Sequence, residues 1–234
     1  MRLDKYLSYS VEVTRNESKK AIRAGLVSVN GVICRDAGRS IGEDDKVEYY
    51  QKQLCYREHV YLMLNKPSGY ISANRDKREK TVFDLLDEKY LHRKLSCAGR
   101  LDKDARGLMI LTDDGELVHN IISPAAHVPK IYRVKALGNY EDSFGVTFAL
   151  GVMLDDGYVC LPAELDVVST GDVNEFLVTV FEGRFHQVKR MFAALGSKVV
   201  YLERISIKGI ELDTELLPGQ YRELSPQEIL MLKK

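Results

Sequence analysis

Two segments of this 234-residue chain concentrate side chains that can do chemistry. The first is Gly99-Arg100-Leu101-Asp102-Lys103-Asp104-Ala105-Arg106-Gly107, which runs directly into the apolar stretch Leu108-Met109-Ile110-Leu111. An arginine and an aspartate stand two positions apart, between glycines that permit tight backbone geometry. A carboxylate acting as nucleophile or base needs rigid support of this kind, because its effect depends on position. The second segment is Glu182-Gly183-Arg184-Phe185-His186-Gln187-Val188-Lys189-Arg190-Met191, in which Arg184, His186, Lys189 and Arg190 can all be cationic. It lies between a strand and a helix, so Arg184 projects near a helix N-terminus. Plainer readings stay open for both: a surface loop with weak ion pairs, and a solvated helix start. Neither segment is a phosphate loop, since no GxxxxGKS or GxxxxGKT pattern occurs. His186 has no second His or carboxylate at metal-ligand spacing, so no metal is expected.

The surrounding elements must position these groups. Val60-Tyr61-Leu62-Met63-Leu64 reads as an apolar strand ending at the turn Asn65-Lys66-Pro67-Ser68-Gly69. Leu108–Leu111 is a second strand, closed by Thr112-Asp113-Asp114-Gly115 and followed by a helix-like stretch, Glu116–Ser123. Ile131–Leu137 and Glu175–Phe181 are further strands, and Val188, Phe192 and Leu195 share a helical face ending at Gly196. Short strands and helices without strict βαβ alternation predict an α+β fold with a mixed, largely antiparallel sheet flanked by helices.

The N-terminal part has a different character. Leu3, Tyr6 and Leu7 have helical spacing, and Thr14 with Glu17 makes a capping box for a second helix. That helix is expected to reach about Ala24, with Gly25 as its stop. On it Arg15, Lys19 and Arg23 recur every fourth residue and share one face. Leu26–Val29 alternates like a strand, Asn30-Gly31 is a hairpin turn, and a second strand follows through Val32 and Ile33. Arg35 and Arg39 can join the basic face, although a solvated helix explains the same charges. The expected organisation is a small module over 1–50, a polar linker over 51–58 and a larger domain over 59–234.

Composition bounds the function. Apolar residues at 45% and charged residues at 29% suit a globular protein with a buried core. Lys plus Arg and Asp plus Glu both total 34, so the net charge of zero excludes an indiscriminate polybasic coat. Cys34, Cys55, Cys97 and Cys160 form no CxxC pair, which argues against a zinc site or disulfide framework and for a reducing cytoplasm. The Val60–Leu64 run is far too short to cross a membrane, and Met1–Lys5 alternates in charge, unlike a signal-peptide core.

The residues also resemble known families. RLDKYLS, KKAIRAGLVSVNG and the following hairpin resemble an S4 (αL) RNA-binding domain, which docks on structured RNA mostly through phosphate contacts. LNKPSGY, GRLDKDARGLMILTDDGEL, PKIYRV, EGRFHQVKRMFAALG and LLPGQYREL resemble the motifs of bacterial pseudouridine synthases of the RsuA type, closest to its 16S rRNA branch. The likeness runs from about Val60 to Glu228 and, with the S4-like module, over nearly the whole chain. It implies an isomerase that turns one uridine of rRNA, the one at position 516 of 16S rRNA, into pseudouridine without a cofactor or metal. It places the catalytic aspartate at Asp102, a basic partner for it at Arg184 and a base-stacking ring at Tyr132. Arg100, Lys66, Pro67, Lys130, Lys189 and Arg190 fall in motifs that bind substrate or shape its pocket. RNA docking is assigned to Arg15, Lys19, Arg23 and Arg35. The implied partner is structured rRNA, as 16S or a small-subunit assembly intermediate, with no membrane and no required protein partner. The chain departs from the family pattern at Ala105 (usually Thr or Ser), at Arg106 (usually small or polar) and at Lys208 (often Gly).

That chemistry suits the residues. Pseudouridylation breaks the uracil N1–C1′ bond, rotates the base and rejoins it through C5, adding no atom overall. One essential carboxylate therefore suffices, whereas hydrolytic glycosidases generally use two. Burial raises the pKa of an aspartate and a guanidinium at contact distance lowers it by about 1–3, and Arg184 stays charged at any relevant pH. Extruding a base costs on the order of a few kcal/mol. An aromatic platform such as Tyr132 returns about 1–3 kcal/mol per base, and Arg100 can fill the space left behind. Three other readings compete: a non-catalytic RNA-binding or ribosome-assembly protein, a glycosidase whose second carboxylate is Asp104, Asp113 or Asp114, and a 23S rRNA enzyme of the same family.

Overall fold

Thr14 opens the second helix as its spacing from Glu17 requires. Its hydroxyl accepts from the Glu17 amide at 3.1 Å, and the Glu17 carboxylate accepts from the Thr14 amide at 2.8 Å. A computed structural model describes every residue except Glu12, Glu43, Cys55 and Arg57, and Leu91 without its side chain. Expectations resting on Cys55, or on that part of 51–58, lie outside the described residues. The chain divides into two compact units, residues 1–60 with 87–94, and residues 61–86 with 95–234.

The first unit begins with α1 (Leu3–Ser10) and α2 (Arg15–Arg23). A four-stranded antiparallel sheet follows, made of β1 (Val27–Val29), β2 (Val32–Ile33), β3 (Val47–Tyr49) and β4 (Lys52–Gln53), in the order β2-β1-β3-β4. Asn30 (φ 54°) and Gly31 (φ 79°) both adopt the left-handed conformation that a two-residue hairpin demands. Leu3, Leu7, Ile22, Val27, Val29 and Val47 form its core. Inside it Asp4 is fully buried against Arg15 at 3.0 Å and Arg2 at 3.2 Å. Burial pushes the Asp4 carboxyl up, but the two guanidinium hydrogen bonds outweigh it and hold the group below the usual carboxylate range. The short helix α3 (Glu88–Leu91) also belongs to this unit.

The second unit is built on β5 (Tyr61–Lys66), β6 (Ser96–Cys97), β7 (Arg106–Thr112), β8 (Lys130–Leu137), β9 (Glu164–Ser169), β10 (Asn174–Val180), β11 (Lys198–Ile207), β12 (Ile210–Glu211) and β13 (Tyr221–Glu223). They make one sheet in the order β13-β5-β7-β11-β8-β10-β9, with β6 on β7 and β12 on β11. The sheet is mixed: β7 and β11 run parallel, and the other pairs are antiparallel. The helices α4 (Gly115–Ile122), α5 (Ser143–Leu150), α6 (Gln187–Ala194) and α7 (Pro226–Lys233) flank it. The expected α+β architecture is the one observed. Met63, Leu108, Ile110 and Ile207 pack with Leu117 and Ile121 of α4 and Leu232 of α7. Phe192 packs tilted against Phe176 at a centroid distance of 5.2 Å and edge-to-face with Phe148 at 5.4 Å, joining β10 to α6 and α5.

Strand register brings distant motifs into line. Lys66 pairs with Gly107, Gly107 with Arg204, Arg204 with Tyr132, and Tyr132 with Val178, one residue from each of five neighbouring strands. Gly107 must be glycine: its φ is +96°, and a Cβ there would stand 2.3 Å from the Arg204 carbonyl oxygen. Lys208, where the resemblance leads one to expect glycine, has φ 50°. Its ammonium donates to the Leu232 carbonyl at 2.8 Å, which helps hold a lysine in that strained backbone. Among the described residues no helix is long and apolar enough to cross a membrane.

Candidate active site

The loop that carries Asp102 is fastened at several backbone points. The Ser72 hydroxyl donates to the Leu101 carbonyl at 2.7 Å and accepts from the Leu101 amide at 3.0 Å. The Gly69 amide donates to the Lys103 carbonyl at 2.7 Å. Beneath the loop, fully buried Lys66 donates its ammonium to the carbonyls of Ala105 (2.7 Å), Pro67 (3.1 Å) and Lys103 (3.3 Å). Burial pushes the Lys66 ammonium down to about 8, against the pull of the nearby Asp104 and Asp102 carboxylates. Arg204, also buried, donates to Leu108 O at 2.8 Å and Arg100 O at 3.4 Å. The turn after β5 and two buried cations thus hold both ends of the aspartate loop.

Asp102 itself keeps a side chain 23% exposed, with Oδ2 3.0 Å from Lys189 Nζ and Oδ1 3.4 Å from His186 Nε2. Lys189 also reaches Asp104 at 2.6 Å. Burial lowers the affinity of Lys189 for its proton, but hydrogen bonds to Asp104 and Asp102 outweigh this and raise it above the ordinary lysine value. The first turn of α6 therefore supplies the cation at contact distance from Asp102.

The family resemblance assigns that cation to Arg184, whose side chain is arranged differently in this structure. Its guanidinium carbon lies 3.2 Å from the centroid of the Tyr158 ring, and Nε is 3.9 Å from Glu182 Oε2. Buried Glu182 accepts from the Tyr158 hydroxyl (2.8 Å), the Leu161 amide (2.9 Å) and Gln187 Nε2 (3.1 Å). Gln187 Oε1 in turn accepts from the Arg184 amide at 3.0 Å. A neutral ring face and a buried carboxylate thus hold Arg184, while Lys189, further along the chain on α6, meets Asp102.

The other expected residues divide. Tyr132 is buried on β8, next to Arg204 in register. Lys66 and Lys130 are buried rather than presented to a ligand. Lys130 donates to Val128 O at 2.8 Å, and burial pushes it down to about 8. Arg190 is paired with Asp155 and, at 2.8 Å, Asp156. Arg100 is exposed and Pro67 half-buried. In the first unit Arg15 spends its charge on Asp4, and Arg35 donates to the Arg23 carbonyl at 2.6 Å beyond α2. Lys19 is half-buried on that helix and Arg23 exposed. Asp114, a candidate second carboxylate, is the buried N-cap of α4. It accepts from Leu117 N at 3.1 Å and the Tyr61 hydroxyl at 2.8 Å. Sequence reading missed Arg204, Glu182, Gln187 and Tyr158 as supports. The available signal was an arginine alternating with Leu202 and Ser206 in the buried phase of a strand.

Comparisons with known proteins identify the family. Residues 60–194 match the RNA pseudouridylate synthase family, and residues 1–47 match the S4 domain. The chain is 41% identical over 236 aligned positions to the ribosomal small subunit pseudouridine synthase A of Haemophilus influenzae, covering 100% of both. It is 39% identical to an uncharacterized RNA pseudouridine synthase of Bacillus subtilis, over 100% of this chain and 99% of the other. A crystal structure of a pseudouridylate synthase superimposes with a TM-score of 0.70 at 40% identity, covering 99% of each chain.

Proposed function

Because this chain belongs to the RNA pseudouridylate synthase family and carries an S4 domain ahead of the synthase domain, we propose that it isomerises one uridine of small-subunit rRNA, with Asp102 as its single essential carboxylate. The observation that carries this reading is the Asp102–Lys189 contact of 3.0 Å at the head of a strand, on a loop fixed from below by Lys66 and Arg204. Position and charge are what the reaction asks of the protein. Asp102 either bonds to C1′ as N1 leaves or takes the C2′ proton to give a glycal, and in both routes the uracil turns while it stays bound. C5 then bonds to C1′, either as the Asp102–C1′ bond breaks or, from the glycal, as Asp102 returns the proton to C2′. The C5 proton departs and N1 gains one, so atoms balance without a redox carrier or ATP. Tyr132, buried on β8, is the ring that the family resemblance assigns to the extruded base. The small-subunit substrate is supported by the names of full-length relatives at about 40% identity.

The hydrolytic reading loses one of its three candidate carboxylates, since Asp114 is committed to capping α4. The decisive experiment is tritium release from C5-labelled uridine in 16S rRNA, followed by mapping of the modified position. Wild-type protein should release label and leave no free uracil, and Asp102→Asn should bind the RNA and release none. Full turnover by Asp102→Asn would remove the centre. Label released only from 23S rRNA would reassign the substrate.

A further inference from the structure

Phe185 is the only exposed phenylalanine among the seven in the chain, all of them described residues, with 74% of its surface accessible. It also has a stacking partner. Its ring stacks on His186 with centroids 3.8 Å apart and planes 18° apart. His186 sits in the left-handed conformation (φ 51°), which costs a non-glycine residue on the order of 1 kcal/mol or more. The backbone on either side is fixed, by Gln187 through the Arg184 amide and by the Arg190 amide donating to the His186 carbonyl at 2.9 Å. The inner ring of the pair, His186, lies 3.4 Å from the Asp102 carboxylate. A strained backbone thus places a solvent-facing aromatic surface, backed by an imidazole, at the edge of the aspartate site.

We infer that Phe185 is a stacking platform for a nucleobase flanking the target uridine. This rests on the reading of the protein as an RNA pseudouridine synthase. The spacing excludes the target base itself. The inner face of Phe185 is covered by His186, so a base must lie on the outer face, about 3.5–4 Å further out and two aromatic layers from the imidazole beside Asp102. The sugar that reacts must come within about 3–3.5 Å of the attacking carboxylate. A nucleotide on Phe185 is therefore a neighbour in the strand. Arg184 precedes it with a side chain 47% exposed, giving the aromatic-plus-cation surface that unpaired nucleic acid favours. Because the ring already stacks on His186, a base added to its outer face sacrifices little further side-chain entropy.

Leucine and tryptophan substitutions test this in the full-length protein, because an exposed ring can be changed without disturbing the core. Phe185→Leu retains apolar bulk but lacks a π face, and Phe185→Trp restores one. With 16S rRNA as substrate, Phe185→Leu should lower kcat/KM about tenfold through KM, with kcat within about twofold and Tm unchanged, and Phe185→Trp should return to wild type. Short unpaired RNAs carrying 2-aminopurine next to a uridine should be quenched on binding wild type and Phe185→Trp, but not Phe185→Leu. Equal KM and equal quenching for all three proteins would overturn the assignment. So would a loss confined to kcat. Should wild type leave the RNA unmodified, the catalytic reading fails on its own, and the quenching comparison still decides the stacking role.

Discussion

Lys66 Nζ donates to the carbonyl oxygen of Ala105 at 2.7 Å, joining the turn after β5 to the last bend of the aspartate loop, 39 residues away. The lysine that sequence reading grouped with substrate contacts is thus a buried support for the loop.

Lys66→Met keeps much of the side-chain length but removes the ammonium that donates to the Ala105 and Pro67 carbonyls, and leaves the Lys103 carbonyl to the Gly69 amide alone. The expected result is at least a tenfold fall in kcat, about 1.4 kcal/mol of barrier, with RNA affinity within about threefold. A loss in affinity alone would return Lys66 to the substrate contacts. Activity and stability should also part with pH. As pH rises through about 8, Lys66 loses its proton and one of three N–H donors, so kcat should decline. Over the same window the folded protein is relieved of a buried charge that the unfolded chain still carries, so the contribution of Lys66 to stability should rise. The Lys66→Met profile should lack both changes.

Lys189 and Arg184 are separable by substitution. Lys189→Met removes the cation at 3.0 Å from Asp102 and should reduce kcat by more than about tenfold, judged by single-turnover tritium release. Arg184→Lys should impair catalysis more than RNA binding, because a point charge reproduces neither the guanidinium fork nor its flat contact with Tyr158. If Lys189→Met retains full kcat, another group balances Asp102 during turnover.

Asp114 should govern acid sensitivity. Burial pushes its carboxyl up, but the Leu117 amide, the Tyr61 hydroxyl and Lys233 together bring it down to about 2. An aspartate depressed in this way contributes stability, about 2 kcal/mol, that is present above about pH 4 and lost as pH falls toward about 2. Urea unfolding at about pH 7, 4 and 3 should show Asp114→Asn less stable at neutral pH and converging with wild type in acid. Parallel curves at all three values would contradict this.

The basic helix of the first unit should split into two functions. Arg15→Ala leaves buried Asp4 short of a partner and should chiefly lower Tm. Lys19→Ala with Arg23→Ala should weaken RNA binding and flatten its salt dependence by up to about 0.9 for each phosphate no longer neutralised. Unchanged salt slopes in the double variant would move the docking face elsewhere.

Several elements were legible because local physics fixes them. The Thr14–Glu17 capping box, the Asn30-Gly31 hairpin and the apolar strands ending near Lys66 and Thr112 each depend on neighbours within a few residues, and each stands close to where the spacing put it. The ten-residue strand β11 was not legible. Burial alternates along it, with Leu202, Arg204 and Ser206 inward and Tyr201, Glu203 and Ile205 half-buried, but polarity does not follow, since an arginine and a serine take the buried phase at the centre of the sheet.

Fold class, family and the candidacy of Asp102 could all be read from the linear chain, since motif order and periodicity are properties of the chain. Packing settled which cation meets that carboxylate and which cations remain underneath. Lys66, Lys189 and Arg204 look alike as charges in a sequence. They part when strand register and helix phase bury two of them against carbonyls and bring the third to Asp102. Solvent exposure and contact distance set what a charged group can do, and both arise between segments far apart in the chain.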